Sequence, residues 1–157
     1  MKASIKILLL LAGLFFVASS AFGDDATNYL NSGVLKLNKG DLDGALADFN
    51  KAIELNPKYP NPYDGRGNVE SIKSDWNGAL TDFNKAIELD PNDVYAYNER
   101  GLVKSQKEDN FNGALADINK AIELNPNYGQ AYDYRGRIET VQGNQDRALA
   151  DFNKPLN

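Results

Sequence analysis

The 157-residue chain contains no cysteine and no histidine. Their absence removes disulfides, thiolate nucleophiles, serine–histidine triads and zinc sites built from those ligands. It also lets the chain enter an oxidising compartment without mispairing. Carboxylate chemistry is left, and its patterns are poor. Asp41-Leu42-Asp43-Gly44 has the outline of a calcium loop, but Lys39 stands at the first ligand place and Asn50 where the bidentate glutamate belongs. The glycines occur singly, so no phosphate-cradling loop with its lysine is present. An enzyme is therefore the weakest reading, and no catalytic, metal or cofactor site is expected. Positive charge is also scarce. With 17 basic and 22 acidic residues, the net charge of -5 disfavours nucleic acid and gives no reason to expect adhesion to anionic lipid.

Long apolar runs are lacking but for one. Lys2 and Lys6 precede the run from Ile7 to Val17, and small residues follow to Ala21-Phe22-Gly23. Residues 1–23 thus read as a cleavable export signal, cut after Gly23 or, as second choice, after Ala21. The mature chain, more acidic once both lysines leave, is expected outside the cytoplasm, periplasmic or secreted. The alternative is an uncleaved anchor, although the run is short of the roughly 20 residues a span requires. No cysteine stands there to carry a lipid.

What the sequence has in abundance is a repeated string. GALADFNKAIELNP (Gly44–Pro57), GALTDFNKAIELDP (Gly78–Pro91) and GALADINKAIELNP (Gly113–Pro126) are followed by RALADFNKPLN (Arg147–Asn157). A period of about 34 residues means stacked supersecondary units. Aligned on the string, the units run over 26–59, 60–93, 94–128 (with one inserted residue) and 129–157, the last incomplete. Tyrosine holds the fourth place (Tyr29, Tyr63, Tyr97, Tyr132) and glycine the eighth (Gly33, Gly67, Gly101, Gly136). Alanine holds the twentieth (Ala45, Ala79, Ala114, Ala148), and Phe49, Phe83, Ile118 and Phe152 the twenty-fourth. Ala52, Ala86 and Ala121 follow at the twenty-seventh, and a proline closes each complete unit.

Three- and four-residue steps make each unit a helix A followed by a helix B, for example Tyr63, Gly67 and Glu70, then Ala79, Phe83, Ala86 and Ile87. Asp41, Asp75 and Asn144 are candidate N-caps, with Gly40 and Gly143 before them suited to a left-handed turn. The prolines stop helix B. The small residues at places eight and twenty let the two helices approach, while Leu46, Leu80, Leu115, Leu149 and the aromatics, Trp76 and Phe111 included, form core. Gly44, Gly78 and Gly113 fall in the first turn of helix B, where glycine costs up to roughly 1 kcal/mol; close packing or drift would explain them. Arg66, Arg100 and Arg135 with Asp48, Asp82, Asp117 and Asp151 form a candidate ladder between repeats, worth only about 0 to 1 kcal/mol per exposed pair. Pro155 should end the last helix near Lys154, leaving Ala148, Leu149 and Phe152 partly uncovered, with no polar closing helix.

This pattern resembles the tetratricopeptide repeat from residue 26 onward. The resemblance implies an all-α solenoid of stacked antiparallel helix pairs and a concave face lined by helix A at places two, five, nine and twelve. Those places give Thr27, Asn61, Tyr95 and Gln130; Leu30, Asp64, Asn98 and Asp133; Val34, Asn68, Leu102 and Arg137; and Leu37, Ser71, Ser105 and Thr140. The candidate peptide-binding groove is Leu30, Asp64, Asn68, Tyr95, Asn98, Leu102, Asp133 and Arg137, with Tyr95 as an aromatic anchor. Some relatives clamp a carboxylate with basic and amide residues. Leu30, Val34, Gly65, Tyr95 and Glu99 stand at the clamp places here, so a neutral or basic segment suits the groove better than an acidic one. The expected function is a non-catalytic protein- or peptide-binding scaffold; the alternative is self-assembly through the uncapped repeat ends.

Overall fold

The computed structural model describes residues 25–107 and 111–154. The proposed signal segment, the inserted residue of the third unit and Pro155 lie outside the described residues. Within them the chain is entirely helical: α1 (25–38), α2 (Leu42–Leu55), α3 (Pro60–Ile72), α4 (Trp76–Leu89), α5 (Val94–Lys107), α6 (Phe111–Leu124), α7 (Gly129–Val141) and α8 (Gln145–Phe152).

The even-numbered helices are set by their ends. Asp41 and Asp75 accept hydrogen bonds from the amides of Gly44 and Gly78 at 2.9 and 3.1 Å, satisfying donors that the first turn leaves open. Asn144 occupies the equivalent position of α8 without a side-chain cap bond. Gly40 and Gly143 take φ of +79° and +80°, and Ser74 takes the same left-handed turn at +62°. The glycines after the caps have a steric reason: a Cβ at Gly44 would collide with the Asp41 carboxylate, and one at Gly78 would lie 2.7 Å from Asp75 and 2.8 Å from Glu70. At the other end, Asn56, Asp90 and Asn125 side chains accept from the amide two residues on, turning the chain through the proline toward the next helix.

Helix pairs α3–α4, α5–α6 and α7–α8 pack most closely, and α2–α3, α4–α5 and α6–α7 join consecutive pairs. The odd helices also touch one another, α3 with α5 and α5 with α7, whereas among the described residues no such contact joins α2 to α4 or α4 to α6. This asymmetry bends the stack, placing the odd helices on its inner side. The core is continuous because each cluster crosses a repeat junction. Phe49 packs with Val69, Phe83 with Ala96 and Val103, and Ile118 with Ala131 and Ile138. Place eight meets place twenty-four: a Cβ on Gly33 would stand 2.6 Å from the Phe49 ring, and one on Gly101 2.8 Å from Ile118 Cγ1.

Three expectations change. The arginine–aspartate rungs lie within repeats, not between them, because helices A and B of one unit face each other there. Arg66 holds Asp82, Arg100 holds Asp117 and Arg135 holds Asp151, and the third guanidinium nitrogen reaches back to Asn50, Asn84 or Asn119 of the preceding repeat. These aspartates are buried, so the pairs are not surface decoration. At the last helix, Leu149 and Phe152 are 61% and 50% exposed, but Ala148 is only 3% exposed because it lies on the side of α8 turned toward α7. Close packing, rather than drift, accounts for Gly44 and Gly78.

Candidate functional site

Three adjoining cavities of about 390, 500 and 300 Å³ run along the inner face. The first lies among α1, α3 and the start of α5, and includes Leu30, Val34, Leu37, Asn61, Asp64, Asn68, Asp93 and Tyr95. The second shares Asn68 and Tyr95 with it and extends over Ser71, Ile72, Trp76, Glu99, Leu102, Gln106, Gln130 and Tyr134. The third shares Leu102, Gln106 and Tyr134 with the second, and adds Ser105, Phe111, Arg137, Ile138 and Val141. They form one trough across the odd helices.

Six of the sequence-selected residues line it: Leu30, Asp64, Asn68, Tyr95, Leu102 and Arg137. Asn98 does not. It is fully buried, donating from Nδ2 to Glu99 Oε1 at 2.9 Å. Asp133 lies outside the cavities and forms an ion pair with Arg137 at 2.9 Å. Of the wider stripe, Ser71 and Ser105 donate their hydroxyls to the carbonyls of Gly67 and Leu102, and Thr140 donates to that of Gly136.

The stripe that lines the trough is wider than the sequence-selected one. Place six lines the trough in every repeat (Asn31, Gly65, Glu99, Tyr134), and so does place thirteen (Asn38, Ile72, Gln106, Val141). Steps from two to six, nine and thirteen are as helical as two, five, nine and twelve. At place five the neighbouring helices bury Asp64 and Asn98. Ile72 and Val141, 55% and 69% exposed, give the trough an apolar edge that the sequence-selected set omits. Trp76 and Phe111 pack on the core as expected and also wall the second and third cavities.

The floor is acidic. Burial pushes the Asp64 carboxyl up to about 9, helped by the neighbouring Asp93 and more weakly by Asp82 and Asp90. Burial also raises Glu99, although the Asn98 amide donates to it. The Tyr95 hydroxyl is raised by burial and by Glu99 and Asp64, and Tyr128 is pushed up to about 12 by burial and Glu99. Gln130 ties the second cavity together, donating to Tyr134 at 2.8 Å and Glu99 at 3.3 Å while accepting from Tyr128 at 3.0 Å. Among the described residues Arg137 is the only cation lining the three cavities, and it is already paired. Such a surface offers acceptors, aromatic and apolar walls. Among the described residues no group of three or more potential ligands is placed for a metal.

A model described as TPR repeat matches residues 33–70 and 67–108, and one described as Tetratricopeptide repeat matches 94–128. No curated protein sequence matches the chain. Among solved structures, a crystal structure of MamA is 22% identical with a TM-score of 0.72, covering 82% of this chain and 74% of its own. The first TPR domain of Spaghetti (RPAP3), bound to the HSP90 peptide SRMEEVD, is 21% identical with a TM-score of 0.72, covering 77% and 95%. TTC0263, a thermophilic TPR protein of Thermus thermophilus, is 25% identical with a TM-score of 0.72, covering 80% and 70%. With its helix pairs, glycine–aromatic contacts and family-model matches spanning more than half its length, this chain belongs to the tetratricopeptide repeat family.

Proposed function

We propose that the chain is an exported, non-catalytic scaffold that holds an extended segment of a partner protein along the trough of odd-numbered helices. The observation that carries this reading is continuity: the three cavities share Asn68 and Tyr95 at one junction and Leu102, Gln106 and Tyr134 at the next. An extended peptide needs such an unbroken path, with acceptors for its amides and pockets for alternate side chains. The RPAP3 domain carries the acidic peptide SRMEEVD. Here the trough is lined by the acids Asp64, Asp93 and Glu99 and, among the described residues, by one cation, Arg137, which is already paired, so it lacks a clamp for an acidic occupant and favours a neutral or basic one. Panning a random peptide library on the full chain tests the reading: binders should compete with one another and lose affinity when Asn68 and Tyr95 are both changed to alanine. Binders indifferent to that change would contradict it.

Export rests on Lys2, Lys6 and the run from Ile7 to Val17. N-terminal sequencing of exported protein should begin near Asp24, and recovery of the chain from Met1 in membrane would favour the anchor. A second reading, self-assembly, is supported by exposed Leu149 and Phe152 on the last described helix. It requires that the sedimentation coefficient rise with concentration and that Leu149→Ser abolish the rise.

A further inference from the structure

We propose that the first cavity of the trough is a subsite for one cationic side chain of the bound segment, a lysine ammonium or arginine guanidinium gripped by Asp64 and Asp93. This rests on the trough reading and specifies its occupant at one point. Asp64 is 7% exposed, yet its Oδ1 has no hydrogen-bond partner among the described residues. A buried acceptor without a donor is costly, and a ligand N–H restores the missing bond. Asp93 caps α5 by accepting the Ala96 amide at 2.9 Å and lines the same cavity as Asp64. Buried beside Asp93, the Asp64 carboxyl holds its proton well above the usual carboxylate range.

The charged groups acting on Asp64 are all negative: Asp93 before α5, Asp90 after α4 and Asp82 within α4. The facing wall from α1 contributes Leu30, Asn31 and Val34, which carry no charge. That wall is the second half of the argument. Lysine and arginine have an apolar stem and a charged tip, and the cavity is lined by aliphatic Leu30, Val34 and Leu37, by the acids Asp64 and Asp93 and by Tyr95. A compact inorganic cation would leave the aliphatic side unused.

Binding a cation displaces the Asp64 proton to solvent. The burial-raised affinity of Asp64 for that proton makes affinity for a guanidinium rise from pH 7 toward pH 9, by at most about tenfold per pH unit.

The probes are n-butylammonium and n-butylguanidinium, with 1-butanol as the neutral stem and sodium chloride at equal ionic strength. The Asp64 and Asp93 carboxyl resonances of the ¹³C-labelled full chain should shift saturably with both cations, and with neither control. D64N, read at the Asp93 carboxyl, and D93N, read at the Asp64 carboxyl, keep side-chain shape and the asparagine-compatible cap and should each weaken the effect about tenfold, and D146N on α8 should not. In the panned library, lysine or arginine should be enriched at one peptide position, and D64N should erase that preference. An unsaturated shift, or equal response in D64N, overturns the subsite. Peptides that bind through Asn68 and Tyr95 without cation enrichment overturn it and leave the trough standing; failure to select any peptide overturns both.

Discussion

Arg66 grips Asp82 through two parallel hydrogen bonds of 2.6 and 2.7 Å, and the side chain beside that pair is another acid, Glu70. In the next repeat Asp117 has two cations, Arg100 at 2.6 Å and Lys104 at 2.7 Å. The same rung therefore has different reserves in the two repeats. Removing Arg66 strands a buried carboxylate next to another, whereas removing Arg100 leaves Asp117 with Lys104. Arg66→Ala should cost about 3 to 5 kcal/mol and Arg100→Ala about 1 to 2 kcal/mol. Urea denaturation of the two variants measures both, and equal losses would contradict the assignment of partners.

The eleventh place of helix A alternates: Lys36, Glu70, Lys104, Glu139. Lys36 and Lys104 bridge to Asp48 and Asp117, each at 2.7 Å. Glu70 instead is pushed up to about 7 by burial and by Asp82. Its folded value exceeds the unfolded one, so it favours the fold when protonated and opposes it as pH rises through 7. Glu70→Lys should build the missing bridge to Asp82 and add about 1 kcal/mol, discounted for partial exposure. The gain should be larger at pH 8 than at pH 5. Thermal melts at the two pH values check this, and a loss of stability at pH 8 would count against it.

Asp64 gives stability a second acid-side bias. Protonated in the folded chain up to about pH 9 and ionised in the unfolded chain above about 4, it makes stability decline across that window. Asp64→Asn should therefore become progressively more stable than the parent between pH 7 and pH 9. Guanidinium midpoints at pH 6, 7.5 and 9 read the divergence, and parallel curves would show that Asp64 is ionised at neutral pH.

The eighth-place glycines differ in what they face. Phe49 is fully buried and cannot yield to a Cβ on Gly33 placed 2.6 Å from its ring. Phe152, against Gly136, is 50% exposed and free to swing outward. Gly33→Ala should cost about 1 to 3 kcal/mol through overpacking. Gly136→Ala should be near neutral, since helix propensity returns up to about 1 kcal/mol. Calorimetric midpoints of the two variants decide it, and a Gly33→Ala variant as stable as the parent would show that the Phe49 contact is loose.

Much of the fold was legible because its signals are local. The capping aspartates Asp41 and Asp75 and the stopping prolines recur at fixed offsets, whereas the meeting of Gly33 with the Phe49 ring, which also lies against Gly65, appears only in the packing. The rungs were not legible in direction, because Arg100 has Asp82 and Asp117 at nearly equal chain separation and only the packing of α5 against α6 selects Asp117. The inner stripe was ambiguous for a related reason. Places five and six both border place nine on a helix, and the neighbouring helices decide that Glu99 lines the trough while Asn98 is enclosed. Nor does any sequence spacing bring Asp93, from a loop, beside Asp64; that requires α3 and α5 to touch.

The most direct test of peptide recognition in the trough is the affinity of a library-selected peptide for the full chain and for the Asn68→Ala, Tyr95→Ala double variant, with circular dichroism on both. Binding should weaken at least about tenfold, on the order of 1.4 kcal/mol, while helix content stays unchanged, since Asn68 and Tyr95 line the trough and neither is fully buried. Unchanged affinity in the folded double variant, with peptide-induced amide shifts confined to α2, α4 and α6, would place recognition on the outer face and contradict the account.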